Sequence, residues 1–297
     1  MLHRRTGMTG RWQDCLWAVM LAFALLMAAS APAATVHVAG SGGEAGDAFL
    51  RVLAKELGAS YAVSGTADGV PDLVVVLHEG ALPEARRPGV PLLVVAPESG
   101  RVELGKDESA LYWAPSWTDQ LRLAQYLFPS LRRVGVLLDD LRHPARIRAL
   151  REQAKTMGLE VVVKEAAPDY LVRTVAELAG DCDVLIAPAD SRAFNRTTIK
   201  PVLLAAYRQN RVFIGPTPAV VRAGALAALH VTPEALALEV AERIRHREKS
   251  GHWGEPSRIS RFEVVTNPQV ARSLGIKLPE QELLDKSWRT RGSTPWP

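Results

Sequence analysis

The polar residues of this chain best placed to hold a ligand sit at one kind of position, at or just after the ends of short apolar runs. Ser41 follows residues 35–39, His78 follows 72–77, and Asp139 and Asp140 follow 133–138. Asp190 and Ser191 follow 183–187, Thr217 follows 211–214, and His230 closes 225–230. Hydroxyls donate and accept, and carboxylates hold amines or hydroxyl groups. The set therefore suits a small polar ligand. A serine beside His78 or His230 would be the start of a hydrolytic dyad, but the sequence supplies no geometry for one. Gly40-Ser41-Gly42-Gly43 lacks the G-x-G-x-x-G order, and there is no Walker lysine and no G-x-S-x-G elbow. No histidine or cysteine cluster has metal spacing. The expectation is binding without catalysis, cofactor or metal.

The elements that must hold these residues alternate. Residues 35–39 read as a strand, and 46–57 as a helix with Phe49, Val52, Leu53 and Leu57 on one face and Gly58 as its stop. Residues 72–77 and 91–96 are continuous apolar runs, as strands buried on both faces should be. Between them, 80–90 has room for a short helix at most. Ser116-Trp117-Thr118-Asp119 opens a helix like a capping box. Strands at 133–138, 160–163, 183–187 and 211–214 then alternate with helices at 144–157, 169–178 and 197–209, the first two closed by Gly158 and Gly180. A single turn at 218–222 leads to a strand at 225–230. Thr232 caps a helix whose first residue is Pro233. Strand–helix alternation of this kind implies right-handed βαβ units and parallel sheets. In such sheets, ligands lie beyond the carboxyl ends of the strands, where loops vary freely and helix N-termini present N–H groups. A boundary near Ala114 divides the chain into two α/β lobes.

With 297 residues, 47% apolar and 23% charged, the chain has a globular profile. The N-terminus reads as an export signal over residues 1–33. Arg4, Arg5 and Arg11 precede an apolar run at 16–29, and Ala31-Pro32-Ala33 forms the cleavage site. An uncleaved anchor is the alternative, although the run is shorter than the roughly 20 residues of a spanning helix. Loss of Arg4, Arg5, Arg11 and Asp14 takes 36 basic and 32 acidic residues to 33 and 31, a net +2, which argues against nucleic acid as a partner. The basic clusters at 142–151 and 243–249 read as solvated helix faces. Cys15 would leave with the signal and lacks a lipobox lead, so Cys182 stands alone, reading as a small buried thiol. Residues 286–297 read as a loose tail.

Several stretches bring a family into view. They are Asp183-Val184-Leu185-Ile186-Ala187-Pro188-Ala189-Asp190-Ser191, then Phe213-Ile214-Gly215, then Val221-Arg222-Ala223-Gly224-Ala225-Leu226-Ala227. The run from Val265-Thr266-Asn267-Pro268 to Leu274-Gly275-Ile276-Lys277-Leu278-Pro279 closes the series. From about Tyr112 to Pro279 the chain resembles the tryptophan/tyrosine-type substrate-binding proteins of ABC transporters. The resemblance implies the type I periplasmic-binding-protein fold, in which two Rossmann-like lobes with parallel sheets are joined by a multi-strand hinge. The first lobe would span 34–114, completed by about 232–256, and the second 115–231 with about 257–285. The strand ending at His230 would finish the second sheet, and Val231-Thr232 would be a hinge strand. Asp190 would contact the ligand, Ser191 and Asn195 would follow in the same loop, and Gly215-Pro216-Thr217 would line the next strand end. His230 would face the cleft, unless it is only an exposed hinge residue. Ser41, His78 and Asp140 complete the expected ligand set. Trp113 and Trp117 either stack on a ring or pack at the hinge.

The implied function is a periplasmic solute-binding protein that delivers a small polar solute to an ABC permease. The first lobe departs from the family pattern, because the connection between its two central strands is cut to a segment at 79–87. That shortening keeps open a second reading, a periplasmic sensor or accessory protein acting through a receptor or outer-membrane transporter. A third, an exported enzyme, ranks last.

Overall fold

A computed structural model describes residues 33–66, 69–96, 102–188 and 193–284. All but the last residue of the expected export signal at 1–33, Asp190, Ser191 and the tail at 286–297 lie outside the described residues.

The apolar runs at 73–76, 92–96, 134–138, 184–186 and 212–214 become strands whose side chains are buried on both faces. The first sheet takes β1 (Ala34–Ala39), β2 (Tyr61–Ser64), β3 (Leu73–Val76), β4 (Leu92–Ala96) and β5 (Glu108–Tyr112). Its helices here are α1 (Gly43–Leu57) and the single turn α2 (Leu82–Ala85), which follows a 3-10 turn at Glu79–Ala81. The chain then builds α3 (Trp117–Leu127), β6 (Arg133–Leu138), α4 (Pro144–Thr156), β7 (Glu160–Glu165), α5 (Leu171–Asp181) and β8 (Val184–Ile186). Next come α6 (Ile199–Tyr207), β9 (Val212–Ile214), α7 (Pro218–Ala223), β10 (Ala227–His230) and α8 (Pro233–Ser250). Two short strands, β11 (Ser257–Arg258) and β12 (Glu263–Thr266), and α9 (Pro268–Ser273) follow.

Two six-stranded sheets result, in the orders β11-β5-β4-β3-β1-β2 and β12-β10-β9-β8-β6-β7. Every pairing is parallel except β12 against β10. Each sheet reverses its winding once, at β1 and at β6, and such switch points leave a crevice at the strand ends.

Val36, Val38, Val75, Leu93 and Val95 on one face of the first sheet pack against Phe49 and Leu53 of α1 and Val240 and Ile244 of α8. The other face, including Val74, Val76, Leu92 and Val94, is covered, among the described residues, by Leu82, Ala85 and partly buried neighbours such as Val90 and Leu104. In the second sheet, one face packs on Leu121 and Leu123 of α3 and Leu150 of α4. The opposite face packs on Val175 and Leu178 of α5, Val202 and Leu203 of α6, and Val221 of α7.

Several expected boundaries move. Gly180 does not close α5; the helix runs to Asp181, where Cys182 N–H bonds back to the Leu178 carbonyl at 2.8 Å. β10 begins at Ala227, because Gly224 adopts φ +128° and Ala225 N–H turns back to the Val220 carbonyl. Nor does β10 finish its sheet, since β12 pairs outside it in antiparallel register. Val231-Thr232 forms no strand; Thr232 is the N-cap of α8, its hydroxyl accepting from Ala235 N–H at 3.1 Å. Ser116 caps α3 as expected, accepting from Asp119 N–H at 3.1 Å and donating to the Asp119 carboxylate at 2.6 Å.

Candidate functional site

Among the described residues, the chain passes between the two sheets three times, each time from the carboxyl end of a strand. Trp113–Ser116 leads from β5 into α3, Val231–Thr232 leads from β10 into α8, and Ile259–Phe262 leads from β11 into β12. Leaving at these ends puts the strand-end loops of both sheets beside the crossings.

In the first sheet, Gly40 follows β1 with φ +80°, and a Cβ there would stand 2.6 Å from the His78 ring. Glycine thus lets the imidazole of His78, itself exposed, lie across the end of β1. Ser41 is 8% exposed and its hydroxyl faces Gly65, where a Cβ would approach it to 2.6 Å. α1 has Gly42 as its N-cap and no side-chain cap, so its first N–H groups keep their bonding capacity.

In the second sheet, Asp140 is taken up locally. Its carboxylate accepts from Arg142 N–H at 2.7 Å and from Arg142 Nε at 2.8 Å. Those hydrogen bonds and the guanidinium charge lower its pKa to about 2. Asn195 is also engaged by its own loop, its Oδ1 accepting from Thr197 N–H at 2.9 Å and Thr198 N–H at 3.2 Å. This turn explains why α6 begins at Ile199. Thr217 caps α7, its hydroxyl accepting from Val220 N–H at 3.4 Å. His230 is partly buried and stands opposite Glu263 in the β10–β12 register, with Nε2 3.9 Å from Oε2. Among the described residues, no hydroxyl bonds to the His78 or His230 ring, and no bond joins Ser41 or His78 to the second-sheet residues.

The crossings are tightly built. Gln120 is buried and donates to the Pro115 carbonyl at 3.3 Å. Pro115, Gln120, Leu123, Gly215, Pro216 and Leu229 close over a crevice with no room for water. Arg258 donates to the Ala114 carbonyl at 2.9 Å and so ties the first crossing to the third. The Ser260 hydroxyl donates to Glu239 at 3.1 Å and Arg261 to Glu242 at 2.6 Å, fastening the third crossing to α8. Trp113 packs against the cores of both sheets, as does Leu236, and Trp117 packs on the second core. Both tryptophans are thus partly buried, packed against the cores beside the crossings.

One exposed aromatic at a strand end escaped the sequence reading. Tyr170 is 66% exposed in a 3-10 turn between β7 and α5. Reading 169–178 as helix hid it; Pro168 was the available signal that the turn starts earlier. Cys182 is buried beside Gly135 of β6, and burial raises its thiol to about 11, leaving it inert. Among the described residues no group of three or more histidine, cysteine or acidic side chains could hold a metal ion. No described helix is long and apolar enough to cross a membrane.

Comparison with known proteins agrees with this fold. Residues 114–288 match the family model described as ABC transporter substrate binding protein. The ligand-free, open structure of a substrate binding protein with adhesive properties from Clostridium difficile superposes with TM-score 0.66 at 19% identity, over 84% of this chain and 96% of that one. A conserved domain protein from Vibrio cholerae gives TM-score 0.58 at 19% identity, over 87% and 99% of the two chains. The ABC domain from Streptococcus pneumonia in complex with L-Trp gives 0.57 at 16%, over 86% and 98%. No curated protein sequence matches the chain.

Proposed function

The chain belongs to the ABC transporter substrate binding protein family, and on that premise we propose that it captures a small polar ligand between two lobes by hinge closure. The observation that carries this reading is the placement of all three crossings at strand carboxyl ends, which sets both switch points around one cleft. The lobes are 34–114 with about 232–256, and 115–231 with about 257–285. Closure presents a changed surface to a membrane permease, and no bond of the ligand is made or broken. Residues 1–33 act as the export signal and the working compartment is the periplasm.

Of the eight proposed contacts, Ser41, His78 and His230 are the described side chains not given over to local caps or turns. Asp190 and Ser191, which follow β8 in the sequence, complete the proposed set. The ligand is an amine or hydroxyl compound of amino-acid size; the L-Trp bound to the Streptococcus relative fits that class.

The test is a thermal-unfolding scan of the chain from Ala34, stripped of ligand by unfolding and refolding. Amino acids, short peptides, nucleosides, sugars and polyamines form the panel. A ligand at a hundred times its Kd stabilises by roughly 2.7 kcal/mol, a shift of several degrees. The expected result is a shift with one class, lost in Asp190→Ala and reduced in His230→Ala. A folded protein that responds to nothing sinks this reading. It favours instead a sensor or accessory role through a protein partner, consistent with the thin cover on one face of the first sheet.

A further inference from the structure

Away from the crossings, a groove of about 360 Å³ runs along the outer side of α4 against β7, lined by Leu141, Pro144, Ile147, Arg148, Arg151 and Val163. Its lining alternates in character. Leu141, Ile147 and Val163 are apolar, and Leu141 is 37% exposed in spite of its size. Arg148 and Arg151 lie three apart on one helix face, both exposed. Neither has an ion pair or hydrogen bond among the described residues. That sets them apart from Arg86, Arg142, Arg173, Arg247 and Arg261, each of which has a carboxylate partner.

α4 has no acidic residue in its first turn. Its N-cap, His143, makes no side-chain capping bond. β7 is the edge strand of its sheet, so the groove adjoins a free backbone edge. Charged residues guard that edge: Glu160 and Glu165 end the strand, and Lys164 pairs with Glu177 at 3.4 Å.

We propose that this groove is a docking site for an acidic segment of a partner protein that also carries apolar side chains. The apolar floor takes alternate side chains, and Arg148 and Arg151 pair with carboxylates. Leu141 and Pro144 place one end of the groove at the strand-end side of the second sheet, which also carries Thr217 and His230. An occupant there lies beside the cleft without entering it.

The experiment uses the whole chain from Ala34 and a short fluorescein-labelled peptide of alternating glutamate and leucine, with the lysine–leucine peptide as control. Fluorescence anisotropy should detect the acidic peptide and not the basic one. Binding should weaken at least about tenfold in R148E/R151E, survive in R148K/R151K, and fall about threefold in Leu141→Ser. It should also weaken as salt rises. Both arginines are exposed, so the unfolding midpoint should not move; should it fall, Leu141→Ser carries the test. No binding of the acidic peptide, or equal binding by R148E/R151E, overturns the proposal. So does adhesion to phosphatidylglycerol vesicles in place of the peptide, or self-association lost in the same variant, since those results assign the groove to a membrane or to a second copy.

Discussion

In the second sheet, β6 and β8 lie between α3 and α4 on one side and α5, α6 and α7 on the other, all from the same continuous stretch of chain. In the first sheet, among the described residues, β1 and β3 have long helices, α1 and α8, on one side, and α8 is formed some 160 residues after β3. Their other side meets α2, a single turn. The connection from β2 to β3, residues 65–72, is too short for a crossover helix. Two sheets of the same strand order thus differ in where their helices come from, local ones for the second and one distant helix for the first, although Val264, Ala271 and Leu284 from the end of the chain also complete the second core. Strand order alone does not fix how a lobe is stabilised.

The sharpest way to break this comparison is to cut each core separately. Phe49→Ala and Phe213→Ala each remove a fully buried ring and should cost about 3–5 kcal/mol. Calorimetry should show two transitions, with Phe49→Ala lowering one and Phe213→Ala the other. A single transition lowered equally by both would mean that Trp113 and Leu236 weld the cores into one cooperative unit.

A smaller effect tests the reliance on α8. Thr232→Ala removes its N-cap and should cost about 1 kcal/mol in urea denaturation, felt by the first sheet although Thr232 follows the last residue of β10. Thr217→Ala, whose capping bond is the longer at 3.4 Å, should cost less and touch only the second. Equal losses would remove the distinction.

The smallest effect is confined to the rim of the second sheet. Arg142→Ala should let the Asp140 carboxyl return from about 2 toward 3.8, read by NMR titration. Because the folded pKa is depressed, its contribution is present above the ordinary value and fades as pH falls toward about 2. An unchanged titration would show that the carboxylate draws its stabilisation from elsewhere.

The first lobe was also the harder one to read from sequence. The β-branched runs at β3, β4, β6 and β8 announce buried parallel strands, and Ser116 and Thr232 announce caps through the residue types that follow them. β2 went unseen because it is a short, half-exposed edge; β5, reading Glu-Ser-Ala-Leu-Tyr, has no β-branched residue. The site was legible as a set of positions and less so as a set of roles. Asn195 and Thr217 are polar residues ahead of helices, and a cap and a ligand contact ask for the same side chains there. Only coordinates show that their oxygens are already engaged by backbone N–H groups. The arginines of α4 read as a solvated face, and nothing in their spacing revealed the groove beside them.

The reach of α8 back to the first sheet sets an order of events during synthesis. Val36, Leu53 and Val75 are made early, but the side chains that finish covering them, Val240 and Ile244, come near the end. A ribosome adding about 5–20 residues per second needs some ten seconds or more to pass from one group to the other. Through that interval the leading third of the nascent chain stays open and sticky. That is a hazard for a protein that folds where it is made, and an advantage for one that has to be threaded through a channel first.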